Sequence, residues 1–84
     1  MNVGEVVFSS EGALKVTLTG FDPKTGAGRV WIDELLPGRG RFFVTVKYGQ
    51  GEMKIDYDSF NLNKLSEYTF YANPGDTVTA IEIV

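Results

Sequence analysis

The last twenty residues, Leu65 to Val84, read LSEYTFYA, then NPGD, then TVTAIEIV, and their reading decides the fold. Two runs rich in Tyr, Phe, Val, Ile and Thr, the residues that suit a pleated and half-buried surface, flank a turn signal. In the first run Tyr68, Phe70 and Ala72 fall on one face, and Glu67, Thr69 and Tyr71 on the other. In the second, Ile81 and Ile83 share a face while Glu82 points away. Asn73-Pro74-Gly75-Asp76 suits a type II turn, which takes Pro at its second and Gly at its third position. The pattern predicts a hairpin, with one complication: the twist of a type II turn fits tight hairpins poorly. Either the loop is wider than the turn, or the run from Thr77 crosses with a β-bulge. A bulge would also account for Val78 and Ala80 lying out of phase with Ile81 and Ile83.

The same period of two runs back through the chain. Val3 to Phe8 is a first strand, closed by the polar turn Ser9-Ser10-Glu11-Gly12. Leu14, Val16 and Leu18 alternate with Lys15, Thr17 and Thr19, a half-buried strand. Asp22-Pro23-Lys24-Thr25-Gly26 is a turn, with φ preset by the proline and glycine free to take positive φ. From Arg29 to Asp33, Val30 and Ile32 oppose Trp31. Arg41 to Tyr48 is the strongest strand: Phe42, Val44, Val46 and Tyr48 on one face, Arg41, Phe43, Thr45 and Lys47 on the other. After the hairpin turn Gly49-Gln50-Gly51, Met53, Ile55 and Tyr57 share a face with charges opposite. Seven short strands without a sustained helical period predict an all-β antiparallel sandwich, with a small five-stranded barrel as the alternative.

Eighty-four residues hold one domain, 1–84, with 1–12 as an extra N-terminal strand. Hydrophobic residues make up 43% of the chain and eleven residues are aromatic, enough for one core. There is no cysteine to form a disulfide or a thiolate metal site, and no histidine to act as base or ligand. A net charge of −3 argues against nucleic acid as partner, since such binders carry a basic excess. No apolar run approaches the length of a membrane helix, so no membrane insertion is expected. The first eight residues lack the basic and apolar regions of a signal peptide.

Leu62-Asn-Lys-Leu-Ser-Glu-Tyr68-Thr-Phe70 resembles a fibronectin type III domain. That family places a leucine six residues before a tyrosine that opens its sixth strand, and the hydroxyl closes a tyrosine corner on nearby backbone. Ala13 to Val16 looks like the family's first strand, Arg29-Val30-Trp31 like its second, and Phe43 to Gly49 like its third. The resemblance spans residues 13–84. It implies an immunoglobulin-like sandwich with Trp31 in the core and Leu62 and Tyr68 as structural residues. The chain departs from the family in lacking its early proline and in its short connection at Asn73 to Asp76.

No cofactor or metal is expected, and no enzymatic activity. Asp33-Glu34 and Asp56-Tyr57-Asp58 are the only close acidic groupings, and a domain this small has little room for the cleft that paired carboxylates need. Asp56 and Asp58 share a strand face, but no loop rich in oxygen ligands accompanies them. Arg39 and Arg41, set among glycines, are candidates for an anion clamp; the segment lacks the ending of a phosphate-binding P-loop. Phe43, Tyr57 and Tyr71 are candidates for an exposed aromatic strip that would stack on a glycan or on partner side chains. The apolar strands at both termini are candidate edges for pairing with another chain. The expected function is therefore contact with another protein or self-association, through sheet edges or surface loops. Carbohydrate binding by surface aromatics is the alternative.

Overall fold

The computed structural model describes all residues from Met1 to Val84. It contains seven strands and no helix: β1 (Val6–Phe8), β2 (Leu14–Phe21), β3 (Ala27–Glu34), β4 (Arg41–Tyr48), β5 (Gly51–Asp58), β6 (Glu67–Tyr71) and β7 (Val78–Ile83). They form two antiparallel sheets, one ordered β1-β2-β3-β6 and the other β5-β4-β7. The sheets do not close into a barrel. One core joins them: Val16, Leu18, Val30 and Ile32 of the first sheet pack with Val44, Val46, Ile55, Val78 and Ile81 of the second. Each side chain removed from water contributes roughly 1.5–3 kcal/mol, and the alternation along β2, β3 and β4 aims one row of them inward.

The final stretch does not form a hairpin. β6 pairs with β3, and β7 pairs with β4 in the other sheet. Between them Asp76 N–H donates to the Asn73 carbonyl at 3.0 Å, and Gly75 takes a φ of 90°, the type II geometry expected from Pro74-Gly75. Its poor match to a hairpin's twist does no harm here, because the turn carries the chain from one sheet to the other. The bulge is present as well. Lys47 pairs with Ala80 and Tyr48 with Val78, so Thr79 is the extra residue. With that residue inserted, Val78 and Ile81 both enter the core, 1% and 5% exposed.

By contrast, the β4–β5 turn is a true two-residue hairpin. Tyr48 faces Gly51, Gly49 has a φ of 54°, and Gln50 has none of the positive φ that type I′ requires, which makes the turn type II′.

Two residues that the family resemblance places in the structural core lie outside it. Trp31 is on the outer face of β3, 40% exposed, with its indole N–H donating to Asp33 Oδ1 at 3.0 Å. The period of two explains this: Val30 and Ile32 take the inward positions, so the residue between them must face out. Leu62 sits in the β5–β6 loop and is 99% exposed, so it anchors nothing. Tyr68 does close on nearby backbone, its hydroxyl accepting from the Leu65 N–H at 3.3 Å. It does so from a strand bonded to β3, the sheet opposite to the one the resemblance implies, since the family's sixth strand pairs with its third.

Candidate functional site

Antiparallel winding gathers the Ser9–Ala13 turn and the 35–40 and 59–66 loops at one end of the sandwich. Beneath them lies the best-built polar cluster of the protein. Glu34, last residue of β3, has only 14% of its side chain exposed. Its Oε2 accepts from the Tyr57 hydroxyl at 2.8 Å and pairs with the Lys64 ammonium at 3.1 Å. Lys64 also donates to the Ser59 carbonyl at 2.7 Å, which ties the 59–66 loop down on β3. Glu34 Oε1 and Ser59 Oγ are buried beside this network without a partner.

Burial alone would raise the Glu34 carboxyl, but the hydrogen bond from Tyr57 and the pairing with Lys64 outweigh it and hold the group below its ordinary 4.5. Burial, followed by the hydrogen bond to Glu34 and then that carboxylate's charge, pushes the Tyr57 hydroxyl far above its ordinary 10.0. At neutral pH Glu34 is thus a carboxylate and Tyr57 a phenol, and neither is poised to exchange a proton there. The cluster is arranged to clamp a loop.

Tyr57 is therefore no surface aromatic: it is 2% exposed, part of the core, and Phe43 and Tyr71 do not join it in a strip. Phe43 lies on the outer face of the β5-β4-β7 sheet, opposite Asp56 and 39% exposed. Tyr71 lies on the outer face of the other sheet, 74% exposed. The alternation already held the signal for Tyr57, since it shares the inward parity of Ile55. Arg39 and Arg41 do meet, in a shallow groove with Ser9, Ser10, Glu11 and Val84. Arg41 is engaged, its Nε 3.0 Å from Asp56 Oδ1, and Glu11 sets a negative charge in the same groove. Asp58 is used locally, accepting the Phe60 N–H at 2.9 Å.

The sheet edges differ sharply. β5 carries Glu52, Lys54, Asp56 and Asp58, the charges by which an edge resists pairing. β7 reads Val-Thr-Ala-Ile-Glu-Ile, and its one charge, Glu82, is paired across β4 with Lys47 at 3.1 Å. Val84 and Phe43 exchange both backbone bonds, at 3.0 and 3.2 Å. By the antiparallel alternation Glu82 also faces β4, and the N–H and C=O groups of Ile81 and Ile83 point away from it. No strand is hydrogen-bonded to β7 on that side, although β1 of the other sheet passes close to it. The chain start lies alongside: the Met1 ammonium donates to the Val78 carbonyl at 2.8 Å, leaving Val3 and Phe8 exposed at 55% and 56%. Together with Val84, 84% exposed, they give this flank an apolar rim.

Comparison of the chain with family models, with curated proteins and with solved structures finds no match.

Proposed function

We propose that this domain is a non-enzymatic assembly module that joins a second copy of itself through the open edge of β7. The observation that carries the reading is the row of backbone groups at Ile81 and Ile83, unpaired on the one flank with an apolar rim. Strand order supports it. In an immunoglobulin-like sandwich the second strand pairs with the fifth and the third with the sixth, and a seventh lies outside the sixth. If β2, β3, β4 and β5 occupy the first, second, third and fourth places, β6 is the fifth and β7 the sixth. The vacant edge of β7 is then the place of the family's last strand, and a strand from another molecule completes that sheet.

A second copy fits this edge. Antiparallel pairing about a two-fold axis at Ile81 sets Ile81 against Ile81 and Glu82 against Ala80 of the second copy, so no like charges meet. Light scattering across a concentration series tests the proposal. Ile83→Pro removes an outward N–H and leaves the bonds of Glu82 and Val84 to β4 in place. The protein is expected to dimerise as concentration rises and the variant to stay monomeric with its fold intact. A protein that remains monomeric at its highest soluble concentration, or a variant that dimerises equally, refutes the proposal.

A further inference from the structure

The outer face of the four-stranded sheet holds a groove that edge pairing at β7 does not use. It encloses about 410 Å³ between the ends of β2, β3 and β6. A bulge after Leu18 brings Gly20 opposite Arg29. Having no side chain, Gly20 leaves room for the guanidinium: a Cβ there would stand 3.1 Å from Arg29 Nε and Nη2. Arg29 takes part in none of the three ion pairs of the protein, which use Arg41, Lys47 and Lys64. Tyr71 and Thr69 of β6 line the groove from one side, and Asp22 lines it at the start of the β2–β3 turn. Asp22 Oδ1 accepts the Lys24 N–H, and no hydrogen bond engages its Oδ2.

A guanidinium can only donate and a carboxylate can only accept, whereas a sugar hydroxyl does both and can bridge the two. The apolar C–H face of a pyranose suits an exposed ring such as Tyr71. An anion would meet Asp22 and a net charge of −3, and an apolar ligand would strip water from two charged groups without replacing their bonds. The same sheet face offers a second platform. Trp31, two residues from Arg29, is half-exposed, and its bond to Asp33 holds the indole in place. Trp31 pairs with Glu67 and Ala27 with Tyr71, so strand geometry separates the two rings by about 14 Å, a length for several linked sugars rather than one.

From these observations we infer that the Tyr71–Arg29–Trp31 face binds a linear, neutral oligosaccharide. The aromatic partners are Tyr71 and Trp31, on one face of one sheet. The site is independent of β7, so its failure and the failure of edge pairing are separable. The test is an amide and indole NMR titration with maltohexaose, cellohexaose and chitohexaose, with oligogalacturonate as the charged control. At least one neutral hexamer is expected to shift the Arg29, Thr69 and Tyr71 amides together with the Trp31 indole N–H. Tyr71→Ala removes an exposed ring and should weaken that binding about tenfold, as loss of a stacked aromatic does. Absence of shifts with all three neutral sugars overturns the inference. So do shifts centred on Phe43, tighter binding of the charged control, or binding that Tyr71→Ala leaves unchanged.

Discussion

Tyr57→Phe isolates the clamp beneath the 59–66 loop, because it deletes one hydroxyl and leaves the ring in the core. That hydroxyl donates to Glu34 Oε2 at 2.8 Å, and the Glu34 side chain is 14% exposed, so solvent screens the bond little. A hydrogen bond to a charged group contributes about 1.5–3 kcal/mol net. Lys64 continues to hold the same oxygen in the variant, which places the expected loss near the lower bound, about 1.5 kcal/mol. For a domain of this size the melting temperature should fall by roughly 6–12 °C. The loss should depend on pH in a defined direction. The folded pKa of Glu34 lies below its ordinary 4.5, so its contribution is present above that value and is lost as pH falls through the folded pKa. Urea unfolding at pH 7 and at pH 3 measures both quantities, with equal slopes required for the comparison. A difference below about 0.5 kcal/mol at pH 7, or one undiminished at pH 3, would refute the reasoning. Tyr57 adds an alkaline counterpart. Its pKa is raised, so stability present below pH 10.0 is lost as pH rises toward the folded value, and Tyr57→Phe should lose less there.

One substitution and one deletion test the packing. A Cβ at Gly28 would lie 2.1 Å from Phe70 Cζ, and that ring is held between Phe21 and Tyr48 with centroids at 6.2 and 5.3 Å. Gly28→Ala should therefore cost about 1–3 kcal/mol in urea unfolding and change the near-ultraviolet circular dichroism; an unchanged midpoint would contradict this packing. Deleting Thr79 removes the extra residue and leaves Val78 and Ile81 two apart, so both should still face inward on a regular β7, and the cost should stay below that of expelling one of them, about 1.5–3 kcal/mol. A deletion variant destabilised by that amount or more would show that Thr79 is not merely the extra residue of the bulge.

Much of the architecture was legible because two-residue alternation is a strong signal wherever one face of a strand is buried. It located β2, β4 and β5, and the phase break between Val78 and Ile81 announced the bulge in β7. Where alternation and family resemblance disagreed, alternation won. It turned Trp31 outward between Val30 and Ile32, and it carried Tyr57 inward beside Ile55. The destination of the final turn was not legible. Asn73 to Asp76 specifies a type II turn but says nothing of which sheet receives the chain, since pairing partners are set by contacts distant in sequence. The clamp was hidden for the same reason: Glu34, Tyr57 and Lys64 come from β3, β5 and a loop, and only the winding of the sheets brings them together. The groove at Arg29 depends on a bulge at Thr19 that no composition signal marks.

Residue-resolved amide exchange over a range of protein concentrations tests the β7 edge most directly. At low concentration the Glu82 amide, bonded to β4, should be protected while those of Ile81 and Ile83 exchange freely. As concentration rises, Ile81 and Ile83 should become protected together, and Lys54 and Asp56 on the charged β5 edge should not. Exchange at Ile81 and Ile83 that stays independent of concentration would contradict the account.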